Sequence, residues 1–173
     1  MMTELFIKKI GDPLLRQVCS PVEDPASVRC LLAEMAGLLR TTSTGVGLAA
    51  PQVGSLLRVV VIKLGRELIE LVNPRITARQ GRQRGRETCL SLPGINGIVT
   101  RARRVTVEAA DRAGEALSIN ASGFLARCIQ HELDHLDGIL FIDHVQPGEA
   151  YDCHTNKPLD VASLLAISRP PSN

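Results

Sequence analysis

Toward its C-terminal end the chain reads His131-Glu132-Leu133-Asp134-His135, inside a stretch of helical periodicity that stops at Gly138. Residues four apart on a helix stand nearly one above the other, so the two imidazoles converge on one point. Two such nitrogens make half of a tetrahedral metal site, and a carboxylate beside them is placed to act on water held there. The pattern is a metallohydrolase signature. A solvated helix face can carry the same five residues, so the rest of the chain has to support the reading.

A chain of 173 residues suits one domain with a real core, and no apolar run is long enough to span a bilayer. Met1 to Ile10 carries Glu4, Lys8 and Lys9 and lacks a signal-peptide layout. A soluble cytoplasmic protein without a membrane partner is expected. Five cysteines without regular spacing do not make a disulfide framework, so each is a small buried hydrophobe or a ligand. Net charge is only +2, but Arg75, Arg79, Arg82, Arg84 and Arg86 crowd one segment, followed by Arg101, Arg103 and Arg104. Such clusters can meet nucleic acid, yet aromatics make up only 2% and do not interleave, which argues against specific nucleic-acid recognition. Nothing in the pattern sets an oligomeric state.

Along the chain, Asp24-Pro25 opens a helix to about Arg40, with Val28, Leu31, Leu32, Met35, Leu38 and Leu39 at helical spacing. Thr41 to Gly54 is a shaped loop rich in small residues. Leu57 to Leu64 is a buried strand, and Glu67 to Asn73 is its hairpin partner, ended by Pro74. Further strands are expected around residues 75–80, 98–100, 105–110 and 116–119, with a turn at Asp111 to Gly114. Asn120 or Ser122 can cap the metal helix, which runs to Asp137. Ile139 to Ile142 is short and apolar, and only Leu159 to Ile167 in the polar tail can be helical. The sum is one α+β domain over 1–173, with a core of about 5–145 and a short tail 146–173. Antiparallel or mixed β-sheets surround a central metal-binding helix.

A catalytic metal site takes three protein ligands and leaves a position open. Cys128 lies on the same helix face as the histidines, and Cys89 comes from a distant, extended segment. Three ligands from consecutive helical turns line up along the axis and surround a metal poorly. Cys89 is therefore favoured, with Cys128 a small buried hydrophobe.

Gly45-Val46-Gly47-Leu48-Ala49-Ala50-Pro51-Gln52, Glu87-Thr88-Cys89-Leu90-Ser91 and His131-Glu132-Leu133-Asp134-His135 resemble the three ordered motifs of the peptide deformylase family. The similarity runs from Ile10-Gly11-Asp12-Pro13-Leu14-Leu15-Arg16 to about Val145. The resemblance implies that fold, and a divalent metal held by Cys89, His131 and His135, Fe²⁺ in cells with Zn²⁺ or Ni²⁺ able to substitute. It implies Glu132 as general acid/base, with the Gln52 side-chain amide and the Leu90 backbone N–H as oxyanion donors. Gly45, Val46, Gly47, Thr88, Phe124, Arg127 and Cys128 would border the substrate, the N-formylated methionine of a nascent polypeptide. A transient association with the ribosome would go with that role.

Three positions depart from the family pattern. Thr88 stands where Gly is usual, Arg127 where an apolar side chain lines the methionine pocket, and Gly85 where a larger apolar residue is common. These departures raise a second reading, a related hydrolase with an Arg127-containing pocket for a different N-formyl compound. A metal-binding non-enzyme and an RNA- or ribosome-associated module rank lower, because every residue the chemistry needs is present.

Overall fold

Val59–Leu64 (β2) is apolar on both faces because it is covered on both sides. Alternate residues of a strand point to opposite faces. Accordingly Val60 and Ile62 join one apolar cluster, and Val59 and Val61 join another. The computed structural model describes residues 5–169. The first four residues of the N-terminal segment weighed above as a leader, and the last four of the tail, lie outside the described residues.

The second cluster packs β2 against Arg29–Thr41 (α1) through Leu32, Met35 and Leu39. The expected helix start is met, but as a 3-10 turn over Pro25–Val28 whose Ala26 N–H donates to the Asp24 carboxylate. The small-residue loop contains Gly47–Ala49 (β1), which pairs antiparallel with β2, and a 3-10 turn at Ala50–Val53.

Pro74 does not end its strand. Glu67–Gln80 (β3) continues through it, pairing first with β2 and then with Arg104–Ala110 (β6). The register slips between Val72 and Arg75, and Asn73 takes φ +52° there. A bulge of this kind leaves the proline outside the ladder, where its missing N–H costs nothing. The Asn73 side chain ties the bulge down by bonding both the N–H and the C=O of Val22 at 2.8 Å. Ala116–Ser122 (β7) completes a sheet in the order β1-β2-β3-β6-β7.

The second sheet was only partly foreseen. Gln83–Cys89 (β4) and Leu92–Arg101 (β5) form a hairpin, joined by Ala150–Asp152 (β8) and Pro158–Leu159 (β9). The tail thus supplies two strands of this sheet as well as Val161–Ser168 (α3). Strands of two or three residues are too short to show periodicity. Every strand pair in both sheets is antiparallel.

Gly123–Leu136 (α2) lies between the sheets. Ala126, Ile129, Leu133 and Leu136 press on the first sheet through Val105, Val107 and Leu71. Its polar edge faces the second sheet, where Phe141 stacks on His131 with ring centroids 5.9 Å apart. Ser122 occupies the cap position, but its side chain makes no capping bond, and Asn120 belongs to β7. Gly138, at φ +71°, ends the helix as expected of a residue just past the C-cap.

Candidate metal centre

The centre forms where β4 crosses α2. Strand alternation turns Glu87 and Cys89 inward and leaves Arg86 and Thr88 exposed. Inside, the Cys89 sulfur and one nitrogen each from His131 and His135 lie within 4.8 Å of one another, and all three residues are buried. Cys89 Sγ is 3.2 Å from His135 Nε2. Cys128 is only partly buried and lies outside this group. Burial pushes its thiol up to about 12.

His131 presents one nitrogen to the centre because its other, Nδ1, is held 2.9 Å from Glu87 Oε2. Glu87 also receives two bonds of 3.0 Å from Arg101, which reaches on to Asp134 at 2.5 Å. Asp134 in turn meets His144 Nε2 at 2.8 Å. This chain of polar contacts, buried at Glu87 and Arg101 and exposed at His144, fixes the imidazole's orientation, as outer partners of metal-binding histidines do. Burial raises the Glu87 carboxyl, but the bonds from His131 and Arg101 outweigh that and bring it down to about 2. Sequence reasoning missed Arg101, Asp134 and His144. The signal was the strand period placing Glu87 on the face of Cys89.

Burial also opposes a charged Cys89, yet the His135 charge and the hydrogen bond from His131 hold the thiol well below its ordinary range. His131 is the mirror case: burial opposes its charge, and bonds to Cys89 and Glu87 hold it well above its usual value. Desolvation pushes Glu132 up to about 7.

One thiolate and two imidazoles suit a divalent cation of borderline softness. Among the described residues, Glu132 Oε2 is buried without a hydrogen-bond partner. A buried carboxyl oxygen left so is costly unless a ligand answers it. The donor set therefore fits a metal, with Glu132 beside it.

Cys89, His131 and Glu132 line a cavity of about 540 Å³ together with Gly45, Val46, Gly47, Gln52, Thr88 and Leu90. A Cβ at Gly47 would overlap the Glu132 carboxyl, so only glycine lets the loop come this close. Gln52 is anchored by the Ala49 N–H donating to its Oε1 at 2.9 Å. Its Nε2 is thereby aimed at Ser91 Oγ, 3.1 Å away, and Cys89 Sγ, 3.5 Å away. Ser91, fully buried, is a fourth residue that sequence reasoning passed over.

Thr88 sits on exposed extended backbone, since among the described non-glycine residues only Asn73 and Asn156 have positive φ. A threonine therefore stands where Gly is usual in the family without a left-handed backbone. Phe124 is 60% exposed at the cavity mouth. Arg127 lies along the wall. Its Nη2 donates to the Arg86 carbonyl, and its Nε stands 3.9 Å from Glu87 Oε1. A Cβ at Gly85 would overlap the Arg127 guanidinium, so the two departures are a matched pair that exchanges bulk across the wall.

Residues 5–150 match the family model described as polypeptide deformylase. The peptide deformylase of Desulfitobacterium hafniense is 49% identical over 138 residues, 79% of this chain and 91% of that protein. That of Halothermothrix orenii is 47% identical over 146 residues, 83% and 95% of the two chains. The crystal structure of a peptide deformylase from Legionella pneumophila superposes with a TM-score of 0.79 at 41% identity, covering 84% of this chain and 88% of that one.

Proposed function

Because this chain belongs to the peptide deformylase family, we propose that it hydrolyses the N-formyl group from the terminal methionine of nascent polypeptides and releases formate. The observation that carries this reading is the convergence of Cys89, His131 and His135 within 4.8 Å beside Glu132, whose Oε2 is buried without a hydrogen-bond partner among the described residues. Cys89, His131 and His135 would hold the metal, which supplies Lewis acidity toward water and the formyl oxygen. Fe²⁺ is the proposed metal in cells, with Zn²⁺ or Ni²⁺ able to occupy the same donors.

Glu132 takes a proton from the attacking water as its oxygen bonds to the formyl carbon. As the C–N bond breaks, Glu132 hands that proton to the departing amine nitrogen, leaving formate and a free peptide N-terminus. The Gln52 side-chain amide and the Leu90 backbone N–H donate to the oxygen on which negative charge develops. Gly45, Val46 and Gly47 bring backbone close to the substrate, while Thr88, Phe124, Cys128 and Arg127 bound its side chain. The altered-substrate reading is not favoured: Arg127 is drawn aside by the Arg86 carbonyl and Glu87, which supports retention of the methionine substrate.

We take the catalytic unit as the whole chain, 1–173, a reading supported by the strands and helix that the described part of the tail contributes on the second sheet's side. No described helix is long and apolar enough to cross a membrane. A cytoplasmic enzyme that meets formylated chains during transient contact with the ribosome fits the exposed arginines of β3 and β4.

The test is formate release from formyl-Met peptides by the Fe²⁺-loaded protein, with metal content measured in parallel. Wild type is expected to turn over, Cys89→Ala to lose bound metal and activity together, and Cys128→Ala to keep its metal. Metal loss from Cys128→Ala with retention by Cys89→Ala would mean that the ligand set is wrong.

A further inference from the structure

The cavity is asymmetric in charge. Its two carboxylates lie at the inner end, where Glu132 faces the metal-binding residues and Glu87 is committed to Arg101 and His131. Arg127 lies beside Glu87, while Lys9 and Arg86, both exposed, line the cavity on its solvent side. Lys9 Nζ donates to the Leu90 carbonyl at 2.8 Å. Arg86 Nη1 donates to the amide oxygens of Asn96 at 3.3 Å and Asn156 at 2.9 Å. Its guanidinium carbon stands 4.8 Å from the Tyr151 ring centroid. All these partners are neutral, so both cations are held in place with their charge undiminished.

Tyr151 and Asn156 belong to the β8–β9 hairpin, all of which but Ala150 lies past residue 150, where the family match ends. The hairpin is rigidly built: Asp152 Oδ1 accepts from the backbone N–H groups of His154 and Thr155 and from the Thr155 hydroxyl. Cys153 and His154 of the same turn also line the cavity. The C-terminal segment therefore fixes Arg86 and walls the cavity on that side.

Arg86 precedes Cys89 by three residues on one strand, roughly 10 Å along it at about 3.3 Å per residue. An extended peptide covers that distance in about three residues. With the formyl carbon at the metal-binding residues, a substrate running along β4 brings its second and third side chains level with Arg86, while Lys9 adds its charge to the same cavity beside Leu90.

We propose that Arg86, clamped by the C-terminal hairpin, and Lys9 form an electropositive outer subsite that favours formylated peptides with an acidic side chain at the second or third position. The proposal rests on the deformylase reading and adds to it a preference among its substrates.

The experiment compares kcat/KM for formyl-Met-Ala-Xaa and formyl-Met-Xaa-Ala amides, Xaa being Asp, Ala or Lys, at low and high salt. Amidation keeps the peptide's own terminus from acting as the acid. The Asp peptide is expected to exceed the Lys peptide by about two- to five-fold per charge pair at low salt. Salt should narrow the gap by screening exposed charges. Arg86→Ala should bring the Asp/Lys ratio near one, and Arg86→Lys should restore part of it. Arg82→Ala removes an equal charge from an exposed position outside the cavity and should leave the ratio unchanged. Because each ratio comes from one preparation, a partly folded variant still reports. Equal rates on Asp and Lys peptides at both positions in the wild type, or an unchanged ratio in Arg86→Ala, would overturn the proposal. No formate from formyl-Met-Ala-Ala amide would instead sink the deformylase reading beneath it.

Discussion

Glu87 shows how one side chain can serve stability and chemistry together. It is 7% exposed and carries a full negative charge because Arg101 and His131 both donate to it. A buried pair of this kind gains little over an apolar substitute, but losing one partner strands the other charge. Glu87→Gln keeps the volume and removes the charge, leaving one neutral amide oxygen to accept where two carboxylate oxygens served Arg101 and the His131 Nδ1. Metal affinity is expected to fall about 10- to 100-fold, as when other outer partners of metal-binding histidines are removed. Titration of the variant with Zn²⁺ against a competing chelator measures it, and an affinity equal to wild type would show that Glu87 does not orient the imidazole. The same scale explains Arg127. Read along the sequence, it puts a guanidinium in an apolar pocket. In space it lies in room left by Gly85 and bonds a backbone carbonyl, so the two residues have to be considered as one change.

At the scale of elements, the end of α2 is set by Gly138 more than by any cap. Its φ is +71°, and a Cβ there would sit 2.6 Å from the Arg16 carbonyl oxygen. Arg16 is itself the clamp that holds the C-terminal helix, its guanidinium bonding the Ser168 carbonyl and hydroxyl as well as Asp143. Gly138→Ala therefore meets both left-handed strain and a backbone clash. It should destabilise the protein by about 1–3 kcal/mol or more, measured by urea unfolding. A change below a few tenths would mean that the helix end relaxes freely. The helices and the central strand were legible because their apolar periods are long. β4 was not, since Gln83, Arg84, Arg86, Glu87 and Thr88 give no apolar alternation. Its inward face is occupied by the site, whose chemistry demands polar groups where an ordinary strand would have apolar ones.

For the molecule as a whole, the metal-binding residues join parts that the core clusters keep separate. Cys89 belongs to the cluster of the second sheet, whereas α2, which carries both histidines, packs its apolar residues into the cluster of the first. A cation held between them would tie the two sheets together, in parallel with the Arg101 bridge from Glu87 to Asp134. Metal present at about 100 times its dissociation constant adds about 2.7 kcal/mol to stability. Chelation is thus expected to lower the thermal midpoint by several degrees while far-ultraviolet circular dichroism persists, because both apolar clusters and the Arg101 bridge remain. Restoring the metal should restore the midpoint. A midpoint indifferent to chelator would show that these residues do not bind metal in the folded state.

The sequence by itself determined the metal helix, the class of chemistry and the family, because each rests on local spacing. His131 and His135 converge by helical geometry alone, and three short motifs in order carry the resemblance. Tertiary structure decided what local spacing does not contain: the path of β3 through Pro74, the fit of Arg127 to Gly85, and the charged chain behind His131. It also decided that the polar tail forms a wall of the cavity, fixing Arg86 through Tyr151 and Asn156. Each of these depends on contacts between residues far apart in sequence, some of them polar. Their positions follow from how the two sheets close around α2, and no period along the chain records that closure.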